Sequence, residues 1–97
     1  MEFWSLEWDE NKNRINQRKH GISFEEAKTV FQDENARGYY DPDHSEEEDR
    51  FMLLGMSSRA RMLMICHCMR QAGSVIRIIS ARKATRGEQK DYGRREG

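Results

Sequence analysis

Apolar and polar residues alternate from Phe3 to Trp8, which suits a short strand, and the pattern then turns helical. Asp9 offers an N-cap for a helix running to about His20. Gly21 ends it, since glycine enters the left-handed conformation without steric cost. The next segment opens with the capping-box pair Ser23 and Glu26 and carries Phe24, Ala27, Val30 and Phe31 on one stripe, so a second helix follows directly.

Beyond it, Glu34 to Tyr40 reads as a short strand and residues 41–49 as a turn region around Pro42. Three apolar segments come next, Phe51 to Met56, Met62 to His67 and Val75 to Ala81. The breaks between them, Ser57-Ser58-Arg59 and Gln71-Ala72-Gly73, make them an antiparallel meander. Arg82 to Arg95 reads as a polar terminal helix, opened by a second capping box of Thr85 and Glu88 and weakened by Gly87. It sets Ala84, Glu88 and Tyr92 on one face. The expected fold is α+β: an N-terminal strand, two helices, an antiparallel sheet of three to four further strands and a C-terminal helix, forming one domain over residues 1–97.

A chain of 97 residues holds one hydrophobic core. Charged residues make up 35% and apolar ones 36%, a balance near disorder, but two Trp, three Tyr and four Phe supply enough burial for a folded chain. No apolar run nears the roughly 20 residues of a membrane span, and the N-terminus lacks the basic and apolar stretches of a signal peptide. The expectation is a cytoplasmic protein without membrane contact. Cys66 and Cys68, two apart in a strand, point to one face and are expected to be reduced.

The formal charge of zero conceals a division. Residues 1–50 carry seven Lys/Arg against fourteen Asp/Glu, and 51–97 carry ten against three, giving −7 and +7. A basic half of this kind can face a polyanion while the whole stays near neutral. Arg50, Arg59, Arg61, Arg70, Arg77 and Arg82 all fall in or beside strands, and Lys83 and Arg86 extend the series. Guanidinium groups bind phosphate oxygens in pairs and stabilise the charge of a pentacoordinate phosphorus, so such a cluster points to RNA. Strand alternation puts Arg77 and Arg82 on opposite faces. Taken one at a time, the arginines fit solvated strand positions paired with the acids of residues 41–49 better than a functional role, and it is the cluster that points to RNA.

Among the histidines, His20 follows Lys19 at a helix C-terminus, where the macrodipole favours a cation whether or not it has a function. His44 lies in the acidic turn. Cys66-His67-Cys68 lacks a second ligand pair and turns His67 away from both thiols, and Asp41, Asp43 and Ser45 lack the glycine and glutamate of a calcium loop. Neither is a metal site. No phosphate-binding glycine loop, nucleophile elbow or dinucleotide fingerprint occurs, and no cofactor is expected.

The quoted segments also form a joint pattern: Phe3, Trp8-Asp9, Lys12, Lys19-His20-Gly21-Ile22, Phe24, Glu26-Ala27, Phe31 and Asp33, then Glu48-Asp49-Arg50, Gly55, Ser57, Arg61, Arg77 to Arg82, Ala84, Glu88 and Tyr92. This resembles the BrnT toxins over about residues 3–92. The resemblance implies a RelE-like fold, ribonuclease activity on RNA, and a BrnA-like ribbon-helix-helix antitoxin through which alone the toxin meets operator DNA. Positions matching the pattern are Lys19, His20, Glu48, Arg61, Arg77, Arg82 and Tyr92. On this reading Arg61 and Arg82 hold the scissile phosphate, Glu48 or His20 is the base and Tyr92 or Lys19 the acid, with Arg77, Arg59, Lys83 and Arg86 on the RNA. Ala60 stands where the family often has glycine, and Cys68 where a small polar residue is usual. The alternative is a non-catalytic module that binds a partner protein or RNA through the same basic half.

Overall fold

The computed structural model describes residues 5–44 and 48–94, so the expected start at Phe3 and end at Arg95 lie outside the described residues. Its elements run β1 (Ser5–Glu7), α1 (Glu10–His20), α2 (Phe24–Val30), β2 (Arg37–Asp41), a 3-10 turn (Pro42–His44), β3 (Arg50–Met56), β4 (Met62–Arg70), β5 (Val75–Lys83) and α3 (Arg86–Gln89). The sheet order is β1-β5-β4-β3-β2. All neighbours are antiparallel except β1, which pairs with β5 in parallel. The four further strands form the expected antiparallel sheet, and the N-terminal strand joins its edge in parallel.

The helices begin and end where local chemistry dictates. Asp9 accepts hydrogen bonds from the backbone N–H groups of Asn11 and Lys12 at 2.8 and 3.2 Å, and Gly21 closes α1 at φ 72°. Ser23 caps α2 by accepting the Glu26 N–H at 3.0 Å, but only half of the expected capping box forms. The Glu26 carboxylate turns inward to Ser57 and Arg61 instead of back to its own helix. At the far end the box is complete, with Thr85 and Glu88 each bonding the other's backbone. The C-terminal helix is nevertheless four residues long rather than fourteen: β5 takes Arg82 and Lys83 at its start, and after Gln89 the chain passes into turns with Gly93 at φ 71°.

Both α1 and α2 cover one face of the sheet. Ile22, Phe24, Ala27 and Val30 meet Leu63, Ile65, Ile78 and Ala81 there as the main core. Phe24 is fully buried, whereas Phe31, expected to finish the same stripe, packs only at its margin. Gly55 lets α2 lie close: a Cβ there would come within 2.7 Å of the Val30 side chain and 3.0 Å of Ala36. A smaller cluster of Leu54, Met64 and Ala84, with Tyr92 against it, lies on the other face beneath the C-terminal segment.

Helix α1 has a single apolar residue, the exposed Ile15, and its two buried residues are asparagines. Asn13 accepts the Phe24 N–H at 2.8 Å and donates to Glu10 and Glu25, which ties α1 to α2. Asn16 donates to the carbonyls of Ile22 (2.8 Å) and Ala81 (2.7 Å) and accepts the Ala81 N–H at 3.1 Å. Its carboxamide thus does for β5 what a neighbouring strand would do, just beyond the point where β1 ends. Asn16→Ala would leave three buried backbone groups without partners, each worth roughly 1–3 kcal/mol. The expected loss is about 3 kcal/mol, seen as a fall in melting temperature of roughly 10 °C or more for a domain of this size. An unshifted melting curve would contradict the role given to Asn16.

Candidate functional site

β4 and β5 pair without interruption from Leu63–Lys83 to Cys66–Ser80, and then His67 pairs with Ile78. Ile79 therefore has no opposite number, and the extra residue reverses the alternation of β5 at that point. Residues directly opposite in an antiparallel ladder share a face. Arg77 lies opposite Cys68 and Arg82 opposite Met64, and Cys68 and Met64 are four apart on β4, so both arginines point to the same side. The expectation that they lie on opposite faces is overturned by this bulge.

That side is the face away from α1 and α2. Three rows of side chains cross it: Glu7, Arg77, Cys68, Arg50 and Asp41; then Ser80, Cys66, Met52 and Tyr39; then Arg82, Met64, Leu54 and Arg37. Between the rows and the C-terminal segment lies a cleft of about 540 Å³, with Met52, Met64 and Cys66 on its floor. Arg50, Arg82 and Ser80 supply donors to its rim, and Asp41, Glu88 and Asp91 supply carboxylates.

Arg82 grips Glu88 in a two-pronged pair, both contacts at 2.8 Å, and also donates to the Lys83 carbonyl. The guanidinium, first, and the Thr85 N–H hold the Glu88 carboxyl down to about 2 despite partial burial. Arg77 donates to Glu7 across the parallel β1–β5 pair at 2.7 Å. Each arginine therefore already holds a carboxylate of the kind that a phosphate oxygen pair could replace.

The remaining expected site residues fall elsewhere. Arg61 is on the helix side, where it makes a two-pronged ion pair with the buried carboxylate of Glu26. The Arg61 hydrogen bond keeps Glu26 below the ordinary carboxylate range and raises the guanidinium in turn. Arg61 thus turns to the helix side and Arg82 to the open side, and each is engaged with its own carboxylate. Arg59 is exposed on the turn between β3 and β4, and Lys83 and Arg86 are exposed at the end of β5 and the start of α3. Lys19 and His20 end α1 in the helical layer. Glu48, 3.4 Å from Arg70, lies two residues outside the Arg50 row. That puts it six ladder steps, about 20 Å, from the Arg82 row. Tyr92 donates to Asp33 at 2.6 Å, and this bond raises the phenol above its usual value. Burial opposes ionisation of Asp33, but hydrogen bonds from Tyr92, Met56 and Asn35 outweigh it and keep the carboxyl low. Tyr92 anchors the C-terminal segment, and the expected acid–base pairs do not assemble around Arg82.

His67 turns to the helix side between Phe31 and Phe51, at ring distances of 5.1 and 6.0 Å, and burial lowers its pKa. Cys66 and Cys68 point the other way, free and buried, and burial pushes both thiols up. Among the described residues no three His, Cys, Asp or Glu side chains are grouped as metal ligands, and no helix is long and apolar enough to cross a membrane.

The family model for the ribonuclease toxin BrnT of type II toxin–antitoxin systems matches residues 8–88. The chain belongs to the BrnT family. It is the toxin of a type II toxin–antitoxin pair, an endoribonuclease with an antitoxin as partner. The fold is similar to the crystal structure of the Brucella abortus ribonuclease toxin BrnT, with a TM-score of 0.65 at 21% identity, covering 86% of this chain and 99% of that one. No curated protein matches the chain. Enzymatic activity decides against the purely interacting module. Ala60, where family members often carry glycine, sits at φ 59° in the turn before Arg61, which accounts for that preference.

Glu88 and Asp91 at the cleft were not among the expected site residues, Glu88 having been placed as a cap, on a helix face and in the joint pattern; Thr85 three residues earlier was the available signal, since a capping box fixes where that carboxylate points. The Arg82 pair gives a titration test. The folded Glu88 pKa is depressed, so its contribution to holding α3 is complete above its ordinary 4.5 and is lost as pH falls towards about 2. Carboxyl-resolved NMR should place the Glu88 midpoint near 2 and return it towards 4.5 in Arg82→Ala. A wild-type midpoint near 4.5 would mean the pair is not formed in solution.

Proposed function

We propose that residues 1–97 form one cytoplasmic toxin domain that cuts RNA without a metal ion, with the scissile phosphate held by Arg82 on the open face of the sheet. The observation that carries this reading is the two-pronged Arg82–Glu88 pair at the rim of the cleft. A carboxylate held in this way occupies the geometry of two phosphate oxygens, and an incoming phosphodiester would take its place. Arg77, brought to the same face by the bulge, would hold the backbone about four ladder steps away, some 14 Å along the strand.

Exchange of Arg82 from Glu88 to phosphate also changes Glu88. Without the guanidinium its carboxyl regains basicity beside the bound RNA, which makes it the base in place of Glu48 or His20. The RNA 2′-hydroxyl loses its proton to Glu88 and bonds to phosphorus. The bond from phosphorus to the 5′-oxygen breaks, that oxygen takes a proton from water, and the proton held by Glu88 neutralises the hydroxide so formed and restores the carboxylate. Arg82 stabilises the phosphorane charge between the two events. The partner in this reading is a BrnA-like ribbon-helix-helix antitoxin, in keeping with the type II family, and operator DNA is met only through it.

Purified toxin on end-labelled RNA tests the mechanism. Cutting should persist in excess chelator and leave a 2′,3′-cyclic phosphate on the upstream fragment. Arg82→Lys should lose about a hundredfold in rate, because an ammonium keeps the charge but not the paired contact. Upstream fragments ending in 3′-hydroxyl, or full activity in Arg82→Lys, would refute it.

A further inference from the structure

The lining of the cleft is mixed in a way that a phosphate backbone alone does not need. Asp41, Glu88 and Asp91 would repel a polyanion, yet they share the cleft with Arg50, Arg82 and an apolar thioether floor. A ligand that carries an anion at one end and a flat, donor-bearing ring at the other satisfies both halves.

The carboxylates are not equivalent. Glu88 is committed to Arg82 and to the Thr85 N–H, and Asp41 lies directly across from Arg50 in the ladder. Asp91 has a long contact, 3.4 Å from Arg94, its carboxylate also lies close enough to the Tyr39 hydroxyl to act on it, and its side chain is 41% exposed. Beside it stands Tyr39, held by the Arg37 guanidinium 5.5 Å from the ring centre. The Tyr39 hydroxyl is buried and makes no hydrogen bond of ordinary geometry. Burial, and after it the Asp91 charge, pushes its pKa up, so it stays a donor. A buried hydroxyl in this condition calls for a partner.

We propose that Tyr39 and Asp91 make the cleft selective for guanosine on the upstream side of the scissile phosphate. A guanine edge presents an acceptor, O6, followed by two adjacent donors, N1–H and the N2 amino group. Tyr39 donates to O6 and the Asp91 carboxylate accepts from both nitrogens. Uracil offers one donor between two acceptors, cytosine one donor group beside two acceptors, and adenine one donor group beside one acceptor, so none completes the set. The base lies over Met52 and Met64. Tyr39 on β2 and Arg82 on β5 stand three strands and two ladder steps apart, about 16 Å between backbones, and the nucleotide would span the gap between their long side chains.

The inference rests on the reading that Arg82 holds the phosphate, and its test separates the two. Calorimetric titration of the intact toxin with guanosine, adenosine, cytidine and uridine 3′-monophosphates reads base preference without cleavage. The guanosine nucleotide should bind about tenfold tighter or more than the others, the discrimination expected of one two-pronged base contact. Asp91→Asn should bring all four within about threefold, and Tyr39→Phe should weaken the guanosine nucleotide by about fivefold, both with unchanged melting temperature. Equal binding of the four by the wild type, a different preferred base, or a guanosine preference retained in Asp91→Asn would overturn the assignment. If Arg82-dependent cutting survives any of these results, this inference alone fails. Selective guanosine binding with normal cutting by Arg82→Lys would instead uphold the guanosine selectivity of the cleft and defeat the catalytic reading, and with it the placement beside the scissile phosphate.

Discussion

The Asn16 carboxamide takes both backbone groups of Ala81 where β1 has ended and β5 would otherwise present a bare edge. Ala81 lies two residues beyond the unpaired Ile79, so this bond fixes β5 on the far side of its bulge. The consequence runs through the whole molecule. Ile78 and Ala81 both reach the core under α1 and α2, which simple alternation forbids, and Arg77 and Arg82 both reach the opposite face. A buried polar side chain with every group paired costs little, and here it decides which surface carries the positive charge.

Once β5 is set, electrostatics divides the two faces. On the helix side Arg61 is neutralised by Glu26 in a contact that Ser57 reinforces, joining α2 to the turn between β3 and β4. On the open side the Arg82–Glu88 pair is only partly buried and lies at the edge of a cleft. Glu26 is buried while Arg61 is partly exposed, so removing Arg61 would strand a buried carboxylate; with both partners partly exposed, the Arg82–Glu88 pair can exchange with a ligand. The same residue types thus serve structure on one face and chemistry on the other.

What was legible in the sequence was local. Asp9, Gly21, Ser23 and Thr85 mark helix ends because a cap acts over three or four residues, and three apolar runs broken by turns give strands in their order. The joint pattern across the chain carried the family. What was not legible was set by distant contacts. Nothing local marks Asn13 and Asn16, yet they are the two buried residues of α1. Glu26 reads as half of a capping box until Arg61, 35 residues away, claims its carboxylate. The bulge leaves no mark in Arg77-Ile78-Ile79-Ser80-Ala81-Arg82, so the face of Arg82 could not be foreseen. With it went the grouping of Arg61, Glu48, His20, Lys19 and Tyr92 about one phosphate.

The central claim is that RNA is engaged on the open face of the sheet, and chemical-shift mapping tests it most directly. A short RNA with 2′-deoxy substitution at the cut position binds without being cleaved, because the attacking hydroxyl is missing. Titrated into isotope-labelled toxin, it should shift the resonances of Arg77, Ser80, Arg82, Met52 and Met64 while leaving the helical layer unchanged. Shifts gathered instead at Lys19, His20, Arg59 and Arg61 would place the RNA on the other side and contradict the account.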